Sequence, residues 1–233
     1  MPSTQRSGYA VKNPVVGVAM FHEPLDSMRV ITLEEQAAYL SETSQPLRDI
    51  AKIMLDTGMR PEEVFRMRVE NIDFKQKTIF NPFGKTKAAR RTIPMTDDAL
   101  SLLSGRVKGA AEIGTPFVFP PTYDALKPIG SVKKAHRAAV KRAKISGRVR
   151  LYDLRHAFAT RAVASGADLP TLSALLGHAS ILMTMRYVHP AAEQKRLVTE
   201  KFEKFRAEGI ISASVSQRGQ AVTTKSTTLQ LVH

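Results

Sequence analysis

Residues 150–190 read RLYDLRHAFATRAVASGADLPTLSALLGHASILMTMRYVHP, and their periodicity decides the fold class. The apolar positions imply three helices, roughly 153–165, 170–176 and 180–188, with Gly177 ending the second and Ser180 placed to cap the third. Leu154, Phe158, Ala159 and Ala162 put Arg155 beside a buried stripe, next to His156. An unpaired charge is costly there, so Arg155 needs an anion. A bidentate phosphate contact is one candidate and a buried structural salt bridge is the other. His178 stands on the turn after Gly177, and Tyr187 comes late in the third helix, close before Pro190. Alone, a tyrosine at this place is more often core packing or an interface residue. Together, a guanidinium, an imidazole and a phenol on rigid helices can bind an anionic phosphorus centre and attack it.

Working outward, the helical pattern persists. Thr32 is a plausible N-cap with Glu35 three residues on, opening a helix in ITLEEQAAYL. Leu47, Ile50, Ile53 and Met54 follow at helical spacing and stop at Thr57-Gly58. Pro61 begins another helix in TGMRPEEVFRM, where Arg60 sits at the junction and Glu63 is spaced to pair with it. Between 69 and 94 the period changes to short apolar segments split by a polar turn, which predicts a small sheet of two or three strands. Lys85 lies at the tip of that hairpin, with Lys87 beside it. Helical patterning returns from Thr96 to Val107, PFVFP (116–120) reads as a short buried strand or extended connector, and 131–145 forms an amphipathic helix with a basic face. The predicted fold is α+β, mainly α, with one small antiparallel sheet.

Composition narrows the partner. Lys and Arg number 35 against 21 Asp and Glu, for a net charge of +14. Such an excess marks a polyanion partner, because neutralising phosphates releases condensed counterions. The charge is clustered at GKTKAARR (84–91), at 133–150 and around Arg155 to Arg161. No run of 18 apolar residues exists, so no membrane-spanning helix is expected, and cytoplasmic residence is. With no cysteine there is neither a disulfide framework nor a thiolate metal site.

Five segments in order, TGMRPEEVFRM, GKTKAARRTIPM, DLRHAFAT, LLGHAS and RYVHP, resemble the catalytic domain of the tyrosine recombinase (phage integrase) family. Arg60 precedes Arg155 by 95 residues, His178 follows by 23 and Tyr187 by 9 more. The resemblance spans residues 31–206 and implies a site-specific recombinase of a phage or mobile element. Tyr187 would attack a scissile phosphate of double-stranded DNA, giving a 3′-phosphotyrosyl enzyme and a free 5′-hydroxyl. Arg60 and Arg155 would hold the non-bridging oxygens, His178 would donate a further hydrogen bond, and Lys85 would protonate the leaving oxygen. Glu63 matches the acidic residue behind the first arginine. The resemblance implies no metal and no cofactor, and four protomers acting together on two DNA sites.

Two departures from the family stand out. The family usually has histidine three residues before the second arginine, and here Tyr152 occupies that place. A phenol can donate a hydrogen bond to phosphate, but with an ordinary pKa near 10 it is a poor base at neutral pH. Tyr152 is also a rival nucleophile on chemistry alone. In addition, residues 1–30 read as a linker where the family carries a helical domain that completes a clamp on DNA. Weak, strongly salt-sensitive DNA binding is therefore expected, and a non-catalytic DNA-binding remnant is the alternative reading. The helix near 191–206 would either dock on a neighbouring protomer or fold back on its own domain, and residues 207–233 read as a disordered tail.

Overall fold

The computed structural model describes residues 29–84, 87–188, 196 and 199–207. The expected N-terminal linker, Lys85 and most of the tail lie outside the described residues.

Helix α1 (Leu33–Ser41) starts where the sequence says it should. Thr32 Oγ1 accepts from the Glu35 amide at 3.1 Å, and Glu35 returns the contact to the Thr32 amide at 3.1 Å. This reciprocal cap satisfies two amides that the helix itself leaves free, a contribution of about 1 kcal/mol. Helix α2 (Leu47–Thr57) is the centre of the molecule, with Ile50, Ala51, Ile53 and Met54 wholly buried. It packs against α3 (Pro61–Phe65), α4 (Asp97–Ile113) and, most extensively, α6 (Asp153–Ala164). Between α4 and α6 lies the basic helix α5 (Lys133–Arg142), packed on α1.

The sheet has three antiparallel strands in sequence order: β1 (Ile72–Asp73), β2 (Thr78–Asn81) and β3 (Arg91–Pro94). Ile79 pairs with Ile93 and both are buried, whereas Phe80, one residue along, is half exposed. That alternation is the period-2 pattern of a sheet with one face on the core. It also carries Arg91, directly opposite Asn81, onto the buried face.

Two helices differ in length from the sequence reading, and one segment settles between its two readings. Helix α4 runs past Val107 to Ile113, because the small residues around Gly109 do not break it and the left-handed Gly114 does. PFVFP is an extended connector that touches the sheet region through a single bridge, Phe117 with Arg68, while Val118 and Phe119 are buried. The third helix of the opening stretch shrinks to one turn, α8 (Leu182–Met185), so Tyr187 sits just beyond it. It follows α7 (Leu169–Leu176), and Ala159, Leu172, Leu176 and Tyr187 make a small second core between α6 and α7.

Residues 199–207 are helical, and Phe202 and Phe205 are 61% and 74% exposed. This part of the chain does not fold back to bury those rings on its own domain.

Candidate active site

Two helix ends build the floor of the site. Helix α2 stops at Gly58 and α7 stops at Gly177, both with φ of +65°, a backbone shape that side chains disfavour. A Cβ on Gly58 would stand 2.4 Å from the Phe158 ring, and one on Gly177 would stand 2.8 Å from Arg91. At both positions glycine is required for conformation and for space. The carbonyls of these turns then hold the arginines. Arg155 Nη1 donates to Gly58 O at 2.8 Å and Nη2 to Leu176 O at 2.6 Å. Arg60 Nη2 donates to Gly177 O at 3.1 Å.

Arg155 is completely buried, and its Nε has no hydrogen-bond partner among the described residues. Its recorded partners are carbonyls, so the structural salt bridge weighed from sequence is not the arrangement found. Burial pulls its pKa down to about 10, with Arg60 and Arg91 acting the same way against Tyr152 and Glu63. The guanidinium is still charged at neutral pH, and no carboxylate forms an ion pair with it among the described residues.

Glu63 ties the arginines together. Its Oε1 accepts from Arg60 Nη1 at 2.8 Å, and its two oxygens accept from Arg91 Nη1 at 3.1 Å and Nη2 at 3.0 Å. The Arg60 amide adds a bond of 2.9 Å. Burial works to raise the Glu63 pKa, but the Arg91 hydrogen bonds and charge, with Arg60, hold it below the usual carboxylate value. Arg91 went unassigned in the sequence reading. It also donates through Nε to the Leu175 carbonyl, joining β3 to α7. Its alternation with Ile93 was the available signal.

The other half of the site is uncharged. His178 follows Gly177, and its amide donates to Ser173 O at 3.0 Å, closing the end of α7. Its Nδ1 is 2.7 Å from the hydroxyl of Thr184, which is fully buried. Burial first, then Arg155, Arg60, Arg186 and Arg91, push His178 down to a pKa of about 4, so its imidazole is neutral at pH 7.

Tyr187, 2% exposed, stacks on His178 with ring centroids 6.3 Å apart and planes within 10°. Its hydroxyl is 2.9 Å from Nδ1 of His156. Burial raises the Tyr187 pKa, while Arg155 works to lower it. Tyr152, at the start of α6, lies edge-on to His156 with centroids 4.9 Å apart, and the Arg155 guanidinium is 5.8 Å from its ring centre. The structure therefore brings together Arg60, Glu63, Tyr152, Arg155, His178 and Tyr187, and adds Arg91, Thr184 and His156.

An open cleft of about 440 Å³ lies beside Arg60, lined also by Glu63, Arg66, Gly84, Gly177 and Ala179. A second, of about 650 Å³, reaches Tyr152 and is flanked by Lys133, Arg137, Arg148 and Arg150. All four of these cations are exposed. Among the described residues, no His, Asp and Glu side chains are grouped to hold a metal ion, and no helix is long and apolar enough to cross a membrane.

This chain is similar to known proteins in sequence and in fold. The chain is 30% identical over 182 residues to the tyrosine recombinase XerC of Pediococcus pentosaceus, a match covering 73% of this chain and 58% of that protein. It is 29% identical over 191 residues to the integrase of Escherichia phage P2, covering 78% of this chain and 49% of the integrase. The chain thus spans 58% and 49% of the length of these two relatives. Its fold matches the integrase of the transposon Tn1549, solved in complex with circular intermediate DNA, with a TM-score of 0.64 and 21% identity over 78% of this chain and 68% of that one. The pattern of the phage integrase family extends over residues 27–194, and this chain belongs to that family.

Proposed function

We propose that this chain is the catalytic region of a site-specific DNA recombinase, which breaks and rejoins double-stranded DNA through a 3′-phosphotyrosyl intermediate. The observation that carries the reading is the gathering at Tyr187 of two neutral imidazoles, His156 at 2.9 Å from its hydroxyl and His178 stacked on its ring, in the field of Arg60 and of a fully buried Arg155 that no carboxylate pairs with among the described residues. Arg60 and Arg155 take the two non-bridging oxygens of the scissile phosphate and stabilise the charge that grows in the transition state. With the Thr184 hydroxyl donating to Nδ1, His178 carries its hydrogen on Nε2 and adds a third donor. Lys85 protonates the leaving 5′-oxygen. Tyr152 faces Arg155 and helps to position it at the phosphate. The exposed cations of α5 and of the 144–150 loop take backbone phosphates on either side. The exposed Phe202 and Phe205 suit docking on another protomer, in an assembly of four on two DNA sites.

The test is covalent capture from a pool of nicked duplexes with randomised sequence around the nick. The full chain is expected to form a protein–DNA adduct that survives denaturation and is abolished in Tyr187→Phe. An adduct that persists in Tyr187→Phe, or is lost in Tyr152→Phe alone, would contradict the assignment of the nucleophile. Noncovalent binding without any adduct would favour a DNA-binding protein that has lost catalysis.

A further inference from the structure

We propose that His156, the residue immediately after Arg155, is the proton acceptor that activates Tyr187; the inference rests on Tyr187 being the nucleophile. Four observations carry it. The Nδ1 of His156 lies 2.9 Å from the Tyr187 hydroxyl, within the range for direct proton transfer. Both rings are buried, at 4% and 2% exposure, so bulk water does not compete for that proton. Position 152, where the family usually has histidine, here holds a phenol, a poor proton acceptor at neutral pH. His178 is turned to a different task, because its Nδ1 is occupied by Thr184 and its ring lies parallel to Tyr187 instead of meeting the hydroxyl end-on.

Helix α6 explains why the contact falls at this position. Successive residues point about 100° apart around a helix, so Arg155 turns toward the Gly58 and Leu176 carbonyls while His156 turns toward Tyr187. One helix thereby supplies an anion holder and a proton acceptor from adjacent positions. Tyr152, one turn earlier, packs its edge against the His156 ring and fixes its plane.

The proton balance closes in both directions. In cleavage, the Tyr187 oxygen forms its bond to phosphorus as its proton passes to Nδ1, making His156 an imidazolium. The bond from phosphorus to the 5′-oxygen breaks, and that oxygen takes a proton from the general acid assigned to Lys85. In rejoining, the 5′-hydroxyl attacks, its proton returns to the lysine, and the departing Tyr187 oxygen recovers its proton from His156. The charged groups acting on His156 are Asp153, which favours its protonation, and Arg150, Arg186 and Arg155, which oppose it. Burial and those arginines bring its pKa down to about 4, so the ring is unprotonated at pH 7 and, without DNA, a weak base. A bound phosphodiester offsets the arginine charges, which strengthens His156 as a base when DNA is in place.

The test is single-turnover adduct formation by the full chain on the duplex recovered by covalent capture. His156→Asn keeps an acceptor near the Nδ1 position without a usable base. Its rate is expected to fall by about 100-fold or more, with noncovalent DNA binding retained. Its rate should also climb about tenfold per pH unit between pH 7 and 9, as the solvent takes over deprotonation of Tyr187, while wild type stays level. A duplex with sulfur in place of the bridging 5′-oxygen, whose leaving group needs no proton, should leave the defect in place. A wild-type rate in His156→Asn, a parallel pH profile, or rescue by the sulfur substrate would overturn the proposal. Nitrogen-15 spectra of the unmutated chain provide a check that does not depend on the variant's folding. Unprotonated Nδ1 on His156 at pH 7 is expected, and a proton on Nδ1 would overturn it. An adduct that survives Tyr187→Phe would instead remove the underlying reading, whatever His156 does.

Discussion

Arg60, Arg91 and Arg155 are held by backbone carbonyls and one shared carboxylate, whereas Tyr187, His156, His178 and Thr184 form two hydrogen-bonded pairs of neutral groups joined by the stacking of His178 on Tyr187. Both sets are largely buried. The first keeps permanent charge and has only to stay in place. The second has to move a proton, and its members have pKa values displaced toward the uncharged form. The division has a physical reason. A buried positive field stabilises a phosphate in transit, but the same field would repel a proton from any base placed inside it. Placing Arg155 and His156 on different sides of α6, about 100° apart, lets both operate around one phosphate.

The comparison can be broken first at Glu63. In Glu63→Gln, Arg91 is left buried without its counter-charge, since both side chains of the pair are under 10% exposed. Unfolding free energy is expected to drop by about 3–5 kcal/mol in urea titrations at pH 7. A loss below 1 kcal/mol would mean that the arginines are held by carbonyls alone. Next in size is Arg155→Lys, which keeps the charge and loses the fork that reaches both Gly58 and Leu176. Adduct formation should slow by about 10²–10³-fold, with DNA affinity changed only a few-fold. Equal losses in affinity and rate would assign Arg155 to ground-state binding.

Acidification should then separate the halves. His156 and His178 have folded-state pKa values of about 4, below the ordinary 6.5, so the unfolded chain takes up their protons first. Stability is therefore expected to fall as pH drops from 6.5 to 4, by at most about 1.4 kcal/mol per unit for each histidine. Glu63, with its pKa held low, loses its contribution only below the ordinary value of 4.5, as the carboxylate is protonated. Urea midpoints measured from pH 7 to pH 3 should show two stages, with His178→Asn flattening the upper and Glu63→Gln the lower. The smallest effect is at Thr184→Val, which removes the hydroxyl from His178 Nδ1. About 1 kcal/mol of stability is expected to go, with Thr184→Ser restoring it.

Much of this was legible in the chain because the signals are local. The Thr32–Glu35 cap, the glycine stops at 58 and 177 and the Arg60–Glu63 pair each lie within a few residues. The position of Tyr152 is likewise fixed by its spacing from Arg155. What escaped depends on distant contacts. Arg91 meets Glu63 across 28 residues and His156 meets Tyr187 across 31. Both stand in segments whose neighbours drew the reading, and neither spacing has a local rule. Arg155 shows the converse. Its burial followed from the stripe beside it, yet its partners are carbonyls of turns far away in sequence, which apolar periodicity does not encode. The length of α8 was overread for a related reason: hydrophobic residues at 181–185 are mostly exposed, so their periodicity marks no continuous buried face.

The central claim is that Tyr187 is the atom donor for the covalent step, with the charged and neutral halves arranged around it. Peptide mass spectrometry of the captured adduct after nuclease and protease digestion addresses it directly. The expected result is a single modified peptide containing Tyr187, heavier by a 3′-linked nucleotide phosphate. A nucleotide found on Tyr152, or on any residue other than Tyr187, would contradict it.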